Sequence, residues 1–115
     1  MGADPVAYAI AAASRGSEHP VDAFSVRKQA KEHGTGRLIE GNFQSGDAVV
    51  VIEDVITSGE SASRAAAAVE HAGGRVLGVL AVVDREEGGK RALEAQGRQV
   101  LALATVGDLG LGDHP

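Results

Sequence analysis

The chain has 115 residues, of which 43% are apolar and 23% charged, a balance that indicates one ordinary globular domain over residues 1–115. Its formal net charge of −5 argues against a general nucleic-acid binder, which needs a basic face. The absence of cysteine excludes disulfides and thiolate metal sites and fits a cytoplasmic location. We expect no secretory leader and no membrane partner, because the first residues carry no basic region and no apolar run could span a bilayer.

The predicted elements alternate between helices and strands. In chain order they are a helix that opens at Asp4 and stops at Gly16, a strand at 21–26, a brief strand at 38–39, a strand at 48–52, a loop at 53–59, a helix at 61–72, a strand at 76–83, a helix at 88–96 and a strand at 99–103. This alternation predicts an α/β fold, with a mostly parallel sheet flanked by helices. The chain opens on a helix without the strand that normally feeds it, so we expect an unpaired sheet edge.

Segment 49–61, Val-Val-Val-Ile-Glu-Asp-Val-Ile-Thr-Ser-Gly-Glu-Ser, carries the most specific chemistry. A buried strand ends at Glu53 and Asp54, and a hydroxyl-rich turn then starts a helix. Ligands of open α/β sheets bind at this end of the strands, and the amides of a helix N-terminus suit a phosphate. The two acids can accept hydrogen bonds from sugar hydroxyls. The segment therefore predicts a sugar 5-phosphate site, and an ordinary strand end followed by a capped helix is the alternative.

A second polar segment, from Arg27 to Gly46, is basic at its start and rich in glycine. Lys28, Lys31 and His33 lie within a few residues of each other, and the glycines that follow permit hinge motion. Such a loop can close over a departing pyrophosphate, neutralise its charge and exclude water from the reacting carbon. The alternative is a solvated turn with scattered charges.

Three motifs together resemble the orotate phosphoribosyltransferases. The strand, acid pair and Thr-Ser-Gly-x-Ser turn resemble the PRPP-binding signature of type I phosphoribosyltransferases. The order Arg-Lys-x-x-Lys-x-His-Gly, followed by Ile-Glu-Gly, resembles the catalytic loop of the orotate enzymes in particular. The stretch Val-Asp-Arg-Glu-Glu-Gly at 83–88 resembles the one that carries their orotate-binding arginine. The likeness runs from Gly2 to about Gly112 and implies a Rossmann-like type I core that lacks the family's N-terminal strand and hood.

The resemblance implies transfer of the phosphoribosyl group from PRPP to orotate, in pyrimidine biosynthesis. The implied PRPP-binding residues are Arg27, Lys28, Lys31, His33, Glu53, Asp54, Val55, Ile56, Thr57, Ser58, Gly59, Glu60 and Ser61. Lys31, His33 and Asp54 would be catalytic, and Thr57 and Arg85 would bind orotate. Mg²⁺ would bind through PRPP and water, with no direct protein ligand. A homodimer is implied, in which residues 27–36 act on the neighbouring subunit.

Several alternatives stay open at this point. The chain could be a non-catalytic PRPP binder, a remnant that folds only with another chain, or a phosphoribosyltransferase for another base. Without the family match, Arg85 would be read as one half of a surface ion pair with Glu86 or Glu87. Glu60 is a mild departure from the family pattern, in which small residues are common at that position.

Overall fold

The computed structural model describes residues 4–27 and 39–110. Its elements in chain order are α1 (Asp4–Ala13), β1 (Phe24–Val26), β2 (Ile39–Gly41), β3 (Ala48–Ile56), α2 (Glu60–His71), β4 (Arg75–Asp84), α3 (Gly89–Ala95) and β5 (Val100–Thr105). The predicted order of helices and strands is confirmed. No helix among the described residues is long and apolar enough to cross a membrane.

The main layer is a three-stranded parallel sheet in the order β3-β4-β5. Val51 lies opposite Val79, and Val79 lies opposite Val100, so the apolar runs of the three strands are aligned. Parallel strands need crossover connections, and here α2 and α3 supply them. The predicted α/β fold with a parallel sheet is confirmed.

The end of β3 differs from the prediction of a loop at 53–59. The strand continues through the two acids to Ile56, because Glu53 pairs with Ala81 and Ile56 pairs with Asp84 of the neighbouring strand. Ile56 is 1% exposed, so burial of its side chain also favours the longer strand. The prediction that residues 53–56 form a loop is therefore wrong.

A small antiparallel hairpin stands apart from the main sheet. β1 pairs with β2, with Val26 opposite Ile39 and Phe24 opposite Gly41. The strand predicted at 21–26 is shorter than expected, since it begins at Phe24. The strand predicted at 38–39 begins at Ile39, and residue 38 lies outside the described residues.

The core lies between the sheet and the two crossover helices. Small side chains permit close packing there, and Ala66 of α2 and Ala81 of β4 are both fully buried at 0% exposure. Leu93 of α3, also 0% exposed, joins the same cluster beside Ile56. The helices therefore approach the sheet closely at the end where β3 and β4 terminate.

The opposite face of the sheet is open in the described residues. Val50, Leu101 and Leu103 are 47%, 64% and 68% exposed, respectively. β3 lies at one edge of the three-stranded sheet, and no described strand pairs with its outer side. The predicted unpaired edge is thus present within the part of the chain that the structure describes.

Two leucines test the assignment of the buried and exposed sides of the sheet: Leu93 of α3, which is in the core, and Leu103 of β5, which is exposed on the other side. Leu93→Ala should lower the free energy of unfolding by about 2–5 kcal/mol, because it leaves a cavity in the core. Leu103→Ala, the matched control, should change it by less than about 1 kcal/mol, because the side chain is already largely in water. Urea unfolding followed by circular dichroism measures both, and equal losses would contradict the assignment of the core.

Candidate functional site

The ends of β3 and β4 bring the predicted sugar-phosphate residues and Arg85 together. Ile56, the last residue of β3, lies opposite Asp84, the last residue of β4. Beyond the strands, the Arg85 N–H donates to the Ile56 carbonyl at 3.0 Å, and the Gly89 N–H donates to the Thr57 carbonyl at 3.0 Å. Two loops from adjacent strands are therefore joined directly by backbone hydrogen bonds.

The turn between β3 and α2 presents backbone amides that no side chain caps. Gly59 is the N-cap of α2, with φ 84°, and no side-chain capping bond is formed there. The Ser58 hydroxyl lies 3.4 Å from the Glu60 nitrogen, near the outer limit for a hydrogen bond. The first N–H groups of a helix have no partner inside it, so those of α2 that follow the Glu60 N–H are available to an anion. The alternative of an ordinary side-chain cap is not what the structure shows.

Two glycines let this turn approach the loop after β4. A Cβ on Gly59 would lie 2.9 Å from the Gly89 carbonyl oxygen, and a Cβ on Gly89 would lie 2.8 Å from the Gly59 nitrogen. Contacts this short are not tolerated between real side chains and backbone. The close approach of the two loops therefore requires glycine at both positions.

The two acids at the end of β3 have different surroundings. Glu53 is half-buried and shares a hydrogen bond with Ser61 of α2. Burial raises the pKa of Glu53 above its ordinary value of 4.5, the Ser61 bond opposes this rise, and the charge of Asp54 adds to it. Asp54 is exposed, and its Oδ1 accepts the Val55 N–H at 2.8 Å. Neighbouring side chains of a strand point to opposite faces, so a ligand that contacts both acids must lie across the strand end.

Arg85 begins the loop after β4 and forms an ion pair with Glu87. Its Nε lies 3.0 Å from Glu87 Oε2, and the two side chains are 56% and 51% exposed. The surface ion pair considered as an alternative is therefore present. Exposed pairs of this kind are weak, so a ligand carboxylate can displace Glu87 from the guanidinium.

The basic segment is described only at its ends. Arg27 follows β1, and its Nε lies 2.8 Å from Glu40 Oε1 without the alignment of a hydrogen bond. Lys28, Lys31 and His33 lie outside the described residues. Because Val26 and Ile39 are paired, the segment between them leaves and returns at the same point of the hairpin.

A cleft of about 790 Å³ runs beside the outer edge of β3. Most of its lining is apolar and comes chiefly from residues 20–26 and β3, with smaller contributions from α1, α2 and β4. Of residues 53–61, Glu53 and Ser61 reach it. The cleft therefore adjoins the candidate site without containing the turn between β3 and α2. Within residues 4–27 and 39–110, no group of three or more histidine or acidic side chains could hold a metal ion.

Sequence reasoning missed two residues that shape this site, Asp84 and Glu86. Asp84 is a buried carboxylate at 6% exposure, and its Oδ1 accepts the Glu86 N–H at 2.8 Å. Glu86 has φ 60°, a left-handed conformation that is unusual for glutamate. The position of Asp84 at the end of a buried strand was a readable signal, whereas the backbone conformation of Glu86 was not.

Comparison with known proteins finds relatives that share one name. No family model matches the chain. The chain is 52% identical over 112 residues to the orotate phosphoribosyltransferase of Mycobacterium avium, a match covering 97% of this chain and 61% of that protein. It is 47% identical over 109 residues to the enzyme of the same name from Aquifex aeolicus, covering 95% of this chain and 60% of that protein.

A solved structure agrees with these sequence matches. It is the orotate phosphoribosyltransferase of Mycobacterium tuberculosis H37Rv in complex with PRPP, with a TM-score of 0.82 and 45% identity, covering 96% of this chain and 61% of that one. The chain thus spans about three fifths of the length of the proteins it matches. These comparisons confirm the family resemblance carried by the three motifs.

The half-buried Glu53 predicts how stability varies with pH. Its folded pKa is raised, so the folded chain binds this proton more tightly than the unfolded chain does. The Glu53 contribution to the free energy of unfolding therefore falls as pH rises from 4.5 through the raised folded pKa. Glu53→Gln, which stays neutral, should be more stable than the native protein at pH 7, with a difference that shrinks on acidification.

Urea unfolding at several pH values measures this difference. Glu94→Gln, at an exposed position of α3, is the matched control and should show little pH-dependent gain. A Glu53→Gln protein that is less stable than the native one at pH 7 would show that ionised Glu53 is held favourably.

Proposed function

We propose that this chain is a member of the orotate phosphoribosyltransferase family that binds PRPP and transfers its phosphoribosyl group to orotate. Orotate attacks C1 of the ribose, pyrophosphate leaves, and orotidine 5′-phosphate forms. One observation carries the proposal: Glu53 and Asp54, near the end of β3, lie next to a turn that starts α2 without a side-chain cap at Gly59. Acceptors for a sugar diol and donors for a phosphate thus lie at one edge of the sheet.

The ribose 5-phosphate half of PRPP suits the segment from Glu53 to Ser61. Glu53 and Asp54 would accept hydrogen bonds from the ribose hydroxyls. The amides and hydroxyls of the turn at 57–61 would donate to the 5-phosphate. Val55 and Ile56 contribute backbone and hold the turn at the end of β3, where Ile56 is buried. Glu60 begins α2 and points its charge into solvent at an exposed position.

The pyrophosphate half is assigned to the basic segment. Arg27, Lys28, Lys31 and His33 provide the positive or protonatable groups that a leaving pyrophosphate needs. Val26 and Ile39, which flank this segment in the chain, are paired with each other in the hairpin. We include a homodimer in the proposal, with residues 27–36 acting on the neighbouring subunit, and a cytoplasmic location, as expected for an enzyme of nucleotide metabolism.

Mg²⁺ is the cofactor of this proposal. Glu53 and Asp54 provide two carboxylates, and the described residues provide no larger ligand group. This set fits Mg²⁺, which typically keeps several waters and binds through substrate phosphates. When bound to pyrophosphate, the ion would neutralise part of the charge that develops on the leaving group. Glu53 and Asp54 would then hold the ribose hydroxyls rather than ligate the ion directly.

Arg85 and the identity of the relatives favour orotate over another base. The guanidinium fork matches a planar carboxylate such as that of orotate. Relatives at 52% and 47% identity carry the name orotate phosphoribosyltransferase. A non-catalytic PRPP binder is less favoured, because the base-facing arginine is kept beside the sugar-phosphate turn, to which its backbone is bonded.

The proposal is tested by orotate consumption, followed in ultraviolet absorbance with purified chain, PRPP and Mg²⁺. PRPP-dependent loss of orotate that stops when Mg²⁺ is chelated would support it. No loss by a folded protein would contradict the enzymatic proposal. Calorimetry with PRPP alone would then separate a PRPP-binding protein from one with no affinity for the ligand.

Asp54→Asn should weaken the use of PRPP, because a charged acceptor for the ribose hydroxyls is lost. We expect kcat/KM for PRPP to fall by about tenfold or more, since a hydrogen bond to a charged group is worth about 1.5–3 kcal/mol. Steady-state kinetics with Glu94→Gln as the matched control measure the effect. If Asp54→Asn has the same kcat/KM for PRPP as the native protein, Asp54 does not bind the ribose.

Glu87→Gln should improve the binding of orotate, because it removes a carboxylate that competes for Arg85. The ion pair is exposed, so the expected decrease in the KM for orotate is only about twofold to fivefold. The KM for PRPP should not change. An increase in the KM for orotate would instead indicate that Glu87 holds Arg85 in its binding position.

A further inference from the structure

The loop after β4 is held by two carboxylates, Asp84 and Glu86, which have no part in the proposed reaction. Their hydrogen bonds are called the brace below. The buried Asp84 accepts the Glu86 N–H at 2.8 Å. Glu86 Oε1 in turn accepts the Gly107 N–H at 2.9 Å, just beyond the end of β5. The backbone adds a parallel link, since the Val106 N–H donates to the Asp84 carbonyl at 3.0 Å. The loop is therefore tied to β5 by both backbone and side chain.

Glu86 holds a backbone conformation that its side chain does not favour. Its φ of 60° makes it the one non-glycine residue with positive φ among those the structure describes. Such a conformation persists where surrounding contacts over-determine it, and such residues cluster at functional sites. Here the contacts are two hydrogen bonds: the Glu86 N–H donates to Asp84 Oδ1, and the Glu86 side-chain Oε1 accepts the Gly107 N–H.

Arg85 lies between this brace and the end of β3. Its N–H donates to the Ile56 carbonyl at 3.0 Å, one residue before the turn proposed to bind phosphate. The next residue, Glu86, is tied to Gly107 on the β5 side. The Arg85 backbone is thus bonded directly to β3, and the residues on either side of it, Asp84 and Glu86, are bonded to Val106 and Gly107 just beyond β5. The Arg85 side chain is 56% exposed.

We propose that Asp84 and Glu86 are positioning residues that fix Arg85 relative to the ribose-phosphate turn and thereby set the affinity for the carboxylate of the acceptor base. This inference rests on the proposed function, because it takes Arg85 as the group that meets that carboxylate. A base and a 5-phosphate joined through one ribose have a limited span, so their two binding groups must be held at a matching separation. Neither Asp84 nor Glu86 needs to touch a substrate to do this.

Glu86 provides the sharper test because its side chain is exposed and its replacement leaves the core intact. Glu86→Ala removes the acceptor for Gly107 and should raise the KM for orotate by about fivefold, the value of one hydrogen bond. The KM for PRPP should stay unchanged. Glu86→Gln keeps an acceptor oxygen at the same place and should restore the KM for orotate. Glu94→Ala, on the exposed side of α3, is the matched control.

The exchange rate of the Gly107 amide proton, measured by nuclear magnetic resonance, reports the brace independently of activity. It should rise in Glu86→Ala and stay near the native rate in Glu86→Gln. Faster exchange together with a raised KM for orotate alone supports the proposal. An unchanged KM for orotate in an active Glu86→Ala protein overturns the positioning role and leaves the proposed function standing.

Other outcomes separate the two proposals further. Equal increases in the KM of orotate and PRPP, or no rescue by glutamine, would assign Glu86 a general structural role and overturn the inference. A native chain that binds PRPP but neither binds nor consumes orotate would overturn the proposed function and this inference with it.

Discussion

The parallel pairing of β3 with β4 is the constraint on which the rest of the site depends. It aligns Ile56 with Asp84, so the two strands end side by side. The residues proposed to bind the sugar, the phosphate and the base all lie within five residues of one of those two positions, on either side of Ile56 and just after Asp84. Because the Arg85 and Gly89 amides donate to Ile56 and Thr57, the alignment continues into the loops rather than stopping at the sheet. A shift in this register would separate the two halves of the site.

Small residues make that alignment possible. α2 rests on the sheet through side chains such as Ala66, which is fully buried, and the two loops meet at Gly59 and Gly89. A larger residue at either glycine would meet backbone atoms of the other loop at less than 3 Å. The abundance of alanine and glycine in the sequence therefore shapes this edge of the sheet directly, because it sets how closely the turn after β3 approaches the loop after β4.

Hydrophobic runs and glycine stops were sufficient to predict the order of the elements, because buried parallel strands and alanine-rich helices have strong local patterns. The end of β3 was not predictable in this way. Glu53 and Asp54 are poor strand formers, and they stay in the strand because β4 pairs with them, which is a tertiary effect. Glu86 was missed for a similar reason, since the side chain of this left-handed residue is hydrogen-bonded to Gly107, a residue 21 positions away.

Three features at this edge each cost stability: a half-buried Glu53 with a raised pKa, a helix start without a side-chain cap, and a left-handed Glu86. A sugar phosphate would relieve the first two, because its hydroxyls can donate to Glu53 and its phosphate can accept from the α2 amides. A sugar phosphate would not stabilise the left-handed backbone of Glu86, whose hydrogen bonds are made to Asp84 and Gly107 within the protein. This is the difference expected between groups that bind a ligand and groups that position them, and it supports the positioning role proposed for Glu86.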